Sequence, residues 1–310
     1  MEISAVRTLF TALPSILTSS LLAAPGVASF AQYADSRAPF AVTLESELVE
    51  VDMDHTSGHV LVDVWVHAEG PFRFVLDTCA GGYGYIDASL VEELGLTQTG
   101  TVVAGDGTGK NAASTGIVSV EFLELKGAAF EGMTMIITPA AVGGRSSLGR
   151  GILGIGLFKE LLLTLDYGGS KVRVTRASLD PEGPHVAPLY QGYGLPEVDI
   201  QIGSSTMRAH IDSGNMGKLL LPGSLKDSFE LEGELQDAGR GQTVANNFQM
   251  WAAPLAEPLR FAGHELRGTN VSFADVFTTA NIGYDILSQY ELTLDTKNSL
   301  VAFIPVGAPR

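Results

Sequence analysis

Phe72-Arg73-Phe74-Val75-Leu76-Asp77-Thr78-Cys79-Ala80-Gly81 has a counterpart 135 residues further on, Met207-Arg208-Ala209-His210-Ile211-Asp212-Ser213-Gly214-Asn215. In each copy an apolar run delivers one aspartate and then a hydroxyl residue. An alternating strand pattern precedes each, His59 to His67 in the first and Pro196 to Gly203 in the second, with Asp63 and Asp199 at matching places. Downstream, Gly151-Ile152-Leu153-Gly154 answers to Asn281-Ile282-Gly283, each followed by a short helical pattern. Both copies then reach an identical tetrapeptide, Leu163-Thr164-Leu165-Asp166 and Leu292-Thr293-Leu294-Asp295, and close on a turn and an apolar strand. An ordered series recurring at nearly constant spacing marks a duplicated folding unit. Two equivalent carboxylates on two equivalent units are what a paired-carboxylate catalyst requires.

Composition agrees with a two-domain β protein. The 310 residues allow two units of about 130–140 residues after a leader. The 36 glycines, 14 prolines and many short Val/Ile/Leu runs favour strands over long helices. A net charge of −16 argues against nucleic acid as a partner, because phosphate would be repelled.

Arg7, an apolar stretch from Leu9 to Ala24, and small residues through Val27-Ala28-Ser29-Phe30-Ala31 have the order of a secretory signal, with cleavage after Ala28 or Ala31. The alternative, an uncleaved anchor, is disfavoured by Pro14, Ser15, Thr18, Ser19 and Ser20. The sequence thus predicts an exported protein, periplasmic or secreted, with no permanent membrane span. Cys79 is the only cysteine, so no intramolecular disulfide is possible. The six histidines show no metal-ligand spacing, and Gly105-Asp106-Gly107-Thr108-Gly109 lacks the Lys-Ser/Thr ending of a phosphate loop. No metal or cofactor is expected. The organisation reads as a signal peptide (1–31), an approach segment (32–58) able to shield a cleft or add an outer strand, a first lobe (59–178), a linker (179–188) and a second lobe (189–310). Pro181, Gly183, Pro184 and Pro188 make a strand or helix unlikely within the linker.

The pair Asp77-Thr78 and Asp212-Ser213-Gly214, with Ile152-Leu153-Gly154 and Ile282-Gly283 as crossing elements, resembles the aspartic peptidase superfamily. Within it the chain is similar to a bacterial protein with two retropepsin-like lobes fused as in pepsin-like bilobal enzymes. The resemblance spans roughly residues 59–307. It implies an all-β fold of two homologous β-barrel lobes with an active-site cleft between them, and an aspartic endopeptidase acting on extended peptide or unfolded protein. Asp77 and Asp212 would be catalytic, sharing a proton and activating a water held between them. Thr78 and Ser213 would hold the two loops in register, and Gly214 would accept a cramped backbone. With both carboxylates in one chain, a monomer is the default.

Cys79 stands where the resemblance expects glycine. It keeps the backbone N–H but adds a Cβ and a sulfur, so either the loop adjusts through Gly81 and Gly82 or the carboxylate pair is distorted. Two alternatives stay open: a catalytically inactive peptide-binding protein, and a thiol nucleophile served by His210. Family position also makes Gly105, Asp106, Gly107, Thr108 and Gly109 one flap tip and Gly239, Arg240 and Gly241 the other. Asp166 and Asp295 precede turns and are expected to cap them.

Overall fold

The computed structural model describes residues 41–106, 108, 110, 112–138, 149–243 and 246–308. The predicted signal peptide, the first part of the approach segment, Gly107 and Gly109 lie outside the described residues.

The protein is almost entirely β. The first half holds β1 (Ala41–Leu44), β2 (Leu48–Asp52), β3 (Leu61–Val66), β4 (Glu69–Asp77), β5 (Gly84–Asp87), β6 (Gln98–Ala104), β7 (Ala113–Leu125), β8 (Ala128–Thr138), β9 (Gly151–Gly154), β10 (Leu162–Asp166) and β11 (Lys171–Thr175). The second holds β12 (Val186–Pro188), β13 (Tyr190–Gly192), β14 (Leu195–Ile202), β15 (Ser205–Ile211), β16 (Leu219–Pro222), β17 (Gln236–Gln242), β18 (Asn247–Pro254), β19 (Leu259–Phe261), β20 (His264–Leu266), β21 (Asn270–Ala274), β22 (Ala280–Ile282), β23 (Tyr290–Asp295) and β24 (Leu300–Pro305). The strand patterns form because one face is buried. Along β3, Val62, Val64 and Val66 are sealed in the core while Asp63 and Trp65 keep partial exposure.

The duplication is visible in the pairing. In the first lobe β9 lies between β4, parallel to it, and β5, antiparallel. In the second, β22 lies in the same way between β15 and β16. The long pair β7 and β8 differs from its counterpart, where Pro254 and Pro258 interrupt the run and β18 and β19 are separate strands. A third, six-stranded sheet joins the halves in the order β12-β24-β23-β10-β11-β2. At its centre the identical tetrapeptides pair antiparallel, Thr164 opposite Thr293, and their hydroxyls bond at 2.9 Å. The local two-fold axis runs between these threonines.

Two segments are more ordered than their composition suggests. Residues 41–52 supply edge strands to two sheets, β1 against β8 and β2 against β11. The linker, expected to be free of strands, forms β12 against β24. It can do so because β12 is an edge strand pairing on one side only, and Pro188 is its last residue. β2 and β12 occupy equivalent outer positions in the six-stranded sheet.

Candidate active site

Each aspartate sits where a core strand ends beside the crossing strand. Asp77 closes β4, opposite Gly154. Asp212 follows β15 directly, and its N–H donates to Ile282 O at 3.0 Å. The crossing strands pass under the loops closely enough to require glycine. A Cβ on Gly154 would lie 2.6 Å from Gly82 O, and one on Gly283 would lie 2.4 Å from Gly217 O.

The loops are locked to each other by buried bonds with two-fold symmetry. Thr78 N–H donates to Ser213 Oγ and Ser213 N–H donates to Thr78 Oγ1, both at 3.0 Å. The hydroxyls continue across the seam, Thr78 Oγ1 to Ile211 O at 2.5 Å and Ser213 Oγ to Leu76 O at 2.9 Å. Both residues are fully buried. Threonine and serine suit this position because a hydroxyl accepts and donates at once.

The result is a joined pair of carboxyl groups. Asp77 and Asp212 are close enough for the charge of one to act directly on the other. Each also accepts a backbone N–H two residues on, Cys79 N to Asp77 Oδ1 at 2.8 Å and Gly214 N to Asp212 Oδ1 at 2.9 Å. Burial, then the neighbouring Asp212 charge, pushes the Asp77 carboxyl up to about 8. Burial also raises Asp212, opposed first by the Asn281 side chain and then by Gly214 N–H. A pair of this kind holds one proton over a wide pH range, leaving one partner to accept a proton and the other to donate one.

Cys79 does not disrupt this arrangement. Its backbone N–H is kept as the Asp77 donor, and its φ is not among the positive values in the described chain. The turn falls later, at Gly82, with φ +66°. Burial and the charges of Asp212, Asp77 and Glu197 push the thiol well above its usual range, against a nucleophilic thiolate. Gly214 does not adopt a positive φ either, so it is required for space rather than for conformation. A Cβ there would stand 2.5 Å from Asp77 Oδ2.

The hairpins expected as flaps meet tip to tip. β6 and β7 pair as far as Ala104 and Ala113, and β17 and β18 as far as Gln242 and Asn247. Asn246 Nδ2 donates to Asp106 Oδ2 at 2.8 Å, to Thr108 Oγ1 at 2.9 Å and to Lys110 O at 3.2 Å, and Thr243 Oγ1 also bonds Asp106 Oδ2. Gly105, Asp106 and Thr108 belong to the first tip. Gly239, Arg240 and Gly241 do not form the second: they lie within β17, at a bulge where Gly239 has φ +79°. The bulge uses the glycine that reads as a turn in the sequence.

One site residue was missed from sequence. Asn281, buried on β22, donates its side-chain amide to Asp212 Oδ2. It occupies a slot that is apolar in the first repeat, and that mismatch was the available signal. Asp166 and Asp295 cap turns as expected, accepting from Gly169 N at 2.8 Å and Asn298 N at 3.1 Å. Among the described residues no helix is long and apolar enough to cross a membrane.

Residues 62–157 match the family model described as aspartyl protease. The match runs from β3 past β9, so it contains Asp77 and stops short of the second lobe. It supports membership of the aspartic peptidase superfamily, carried by the first lobe. No curated protein matches the chain.

Proposed function

From an aspartyl-protease lobe at residues 62–157, we propose that the whole chain is an aspartic endopeptidase whose two catalytic carboxylates are Asp77 and Asp212. The observation that carries this reading is the exchange of bonds between Thr78 and Ser213, which brings one carboxylate from each half beside the other. Water between the two is the nucleophile, activated by the ionised carboxyl while the protonated one polarises the scissile carbonyl. No covalent intermediate forms. Extended peptide lies in the cleft between the lobes, beneath the joined hairpins, and bonds to the backbone there. Because one chain supplies both carboxylates, the active form is a monomer. The leader at 1–31 directs it out of the cytoplasm, to the periplasm or beyond.

The test is hydrolysis of an unfolded polypeptide by the mature protein from acid to neutral pH, alongside Asp77→Asn and Asp212→Asn. Each substitution is expected to lower kcat by at least about a thousandfold, since general acid–base groups contribute on that order. Cleavage that survives either change would refute the pair. Absence of cleavage in the unaltered protein, with retained peptide binding, would favour an inactive peptide-binding protein of the same fold.

A further inference from the structure

The two carboxyl groups have different surroundings, and the difference comes from one row of side chains. Across β14, β15 and β22 the second lobe aligns Glu197, His210 and Asn281 as cross-strand neighbours. The same row in the first lobe, across β3, β4 and β9, is Leu61, Val75 and Ile152. Only the second lobe can therefore offer its aspartate a side-chain donor from the crossing strand.

The orientation of that donor follows from a backbone group. Gly217 N–H can only donate, and it donates to Asn215 Oδ1 at 2.9 Å. Asn215 Nδ2 is then the end that faces Asn281, and it donates to Asn281 Oδ1 at 2.6 Å. Asn281 Nδ2 is left to point at Asp212 Oδ2. Asp212 accepts at both oxygens, Oδ1 from Gly214 N–H and Oδ2 from Asn281. Asp77 accepts the Cys79 N–H at Oδ1 and, with a smaller effect, the Ala80 N–H, but no side-chain amide; its Oδ2 faces Gly214 across a gap too small for a Cβ. An oxygen filled by an N–H donor is a poor place for a proton, and Asp77 has one fewer such donor than Asp212.

We propose that Asn281 is a positioning residue that assigns the two roles: Asp212 is the ionised base and Asp77 the protonated acid. The assignment rests on the peptidase reading above. Water oxygen bonds to the carbonyl carbon as its proton passes to the Asp212 carboxylate, and the Asp77 proton passes to the carbonyl oxygen. The tetrahedral diol that results faces an ionised Asp77 and a protonated Asp212. On collapse the C–N bond breaks, the nitrogen takes the proton from Asp212, and a diol hydroxyl returns one to Asp77. The starting state is restored. The raised Asp77 carboxyl fits the acid role. The other titratable groups around Asp212 are Asp77, Cys79, His210, Glu197 and Tyr167. His210 lies 3.4 Å from Glu197, and burial lowers its pKa.

The decisive measurement is a carboxyl-carbon NMR titration of aspartate-labelled protein, with signals assigned through Asp77→Asn and Asp212→Asn. It reads how the pair divides its proton whether or not the protein turns over substrate. A protein that cleaves nothing would sink the peptidase reading and leave this test intact. The lower step is expected on Asp212. Asn281→Leu, which restores the apolar character of the first lobe, should move that step up by about one pH unit, the equivalent of one charge-assisted hydrogen bond. The acidic limb of kcat/KM should move with it while KM stays within about twofold. Asn281→Ser, too short to reach the carboxylate, should do the same if the leucine variant folds poorly. A lower step on Asp77, or two steps unmoved by either substitution, would overturn the proposal.

Discussion

Beneath its aspartate loop the first lobe runs an apolar row, Leu61, Val75 and Ile152, where the second lobe runs Glu197, His210 and Asn281. Around these rows the backbone repeats closely: the same parallel and antiparallel neighbours, the same glycine under each loop, and even the same flanking ion pair. Arg73 meets Asp63 at 2.8 Å, and Arg208 meets Asp199 at 2.5 Å. Strand pairing sets where a carboxylate stands, and side chains in the row beside it set how readily it ionises. A catalyst assembled from two copies of one lobe would be obliged to treat both carboxylates alike. One chain with two lobes is not.

The sharpest way to test that separation uses the position two residues after each aspartate. Gly214→Ala would drive a Cβ to within 2.5 Å of Asp77 Oδ2, displacing a reacting group on the order of 1 Å. A loss of about a hundredfold in kcat is expected. Cys79→Gly changes the equivalent site, where a side chain is already accommodated, and should alter kcat by less than about threefold. Steady-state kinetics on one peptide decides between them. Equal losses at both positions would show that the loops are interchangeable after all.

The next comparison is of stability. Both carboxyls have folded pKa values raised above those of the unfolded chain. The folded state therefore holds protons that the unfolded state has released, and stability falls as pH rises through the raised values. Replacing either aspartate by asparagine removes that penalty. Asp77→Asn should leave stability nearly unchanged below about pH 4 and increase it progressively toward pH 8. Asp212→Asn should gain less, because an amide has only one acceptor oxygen and must give up either the Asn281 or the Gly214 bond. Urea midpoints at pH 4 and pH 8 test this, and a larger gain from Asp212→Asn would contradict the asymmetry.

The smallest expected effect lies on the axis itself. Thr164→Val or Thr293→Val each leaves one buried hydroxyl without its partner and should cost about 1–2 kcal/mol. The double substitution should cost less than the sum of the two. Additive losses would mean the hydroxyls do not act as a pair.

Much of this arrangement could be read from the sequence because duplication repeats the backbone's requirements. Asp77 and Asp212, the glycines under the loops and the paired tetrapeptides all answer to geometry that both halves must satisfy. What could not be read lies where the halves differ or where tertiary pairing overrides local signals. Asn281 reads as one more position in a crossing element, and only its partner across space gives it a purpose. Gly239 suggests a tip, but β18 pairs past it and turns it into a bulge. The proline-bearing linker reads as irregular, yet the exposed edge of β24 recruits three of its residues. Local composition carries no information about such an edge.

The bonds from Asn246 to Asp106, Thr108 and Lys110 tie the end of one lobe's hairpin to the end of the other's. Under the peptidase reading, a polypeptide arriving broadside would have to part those bonds before it could lie beneath the hairpins. A loose, uncoiled chain would then gain admission more readily than the surface of a folded protein.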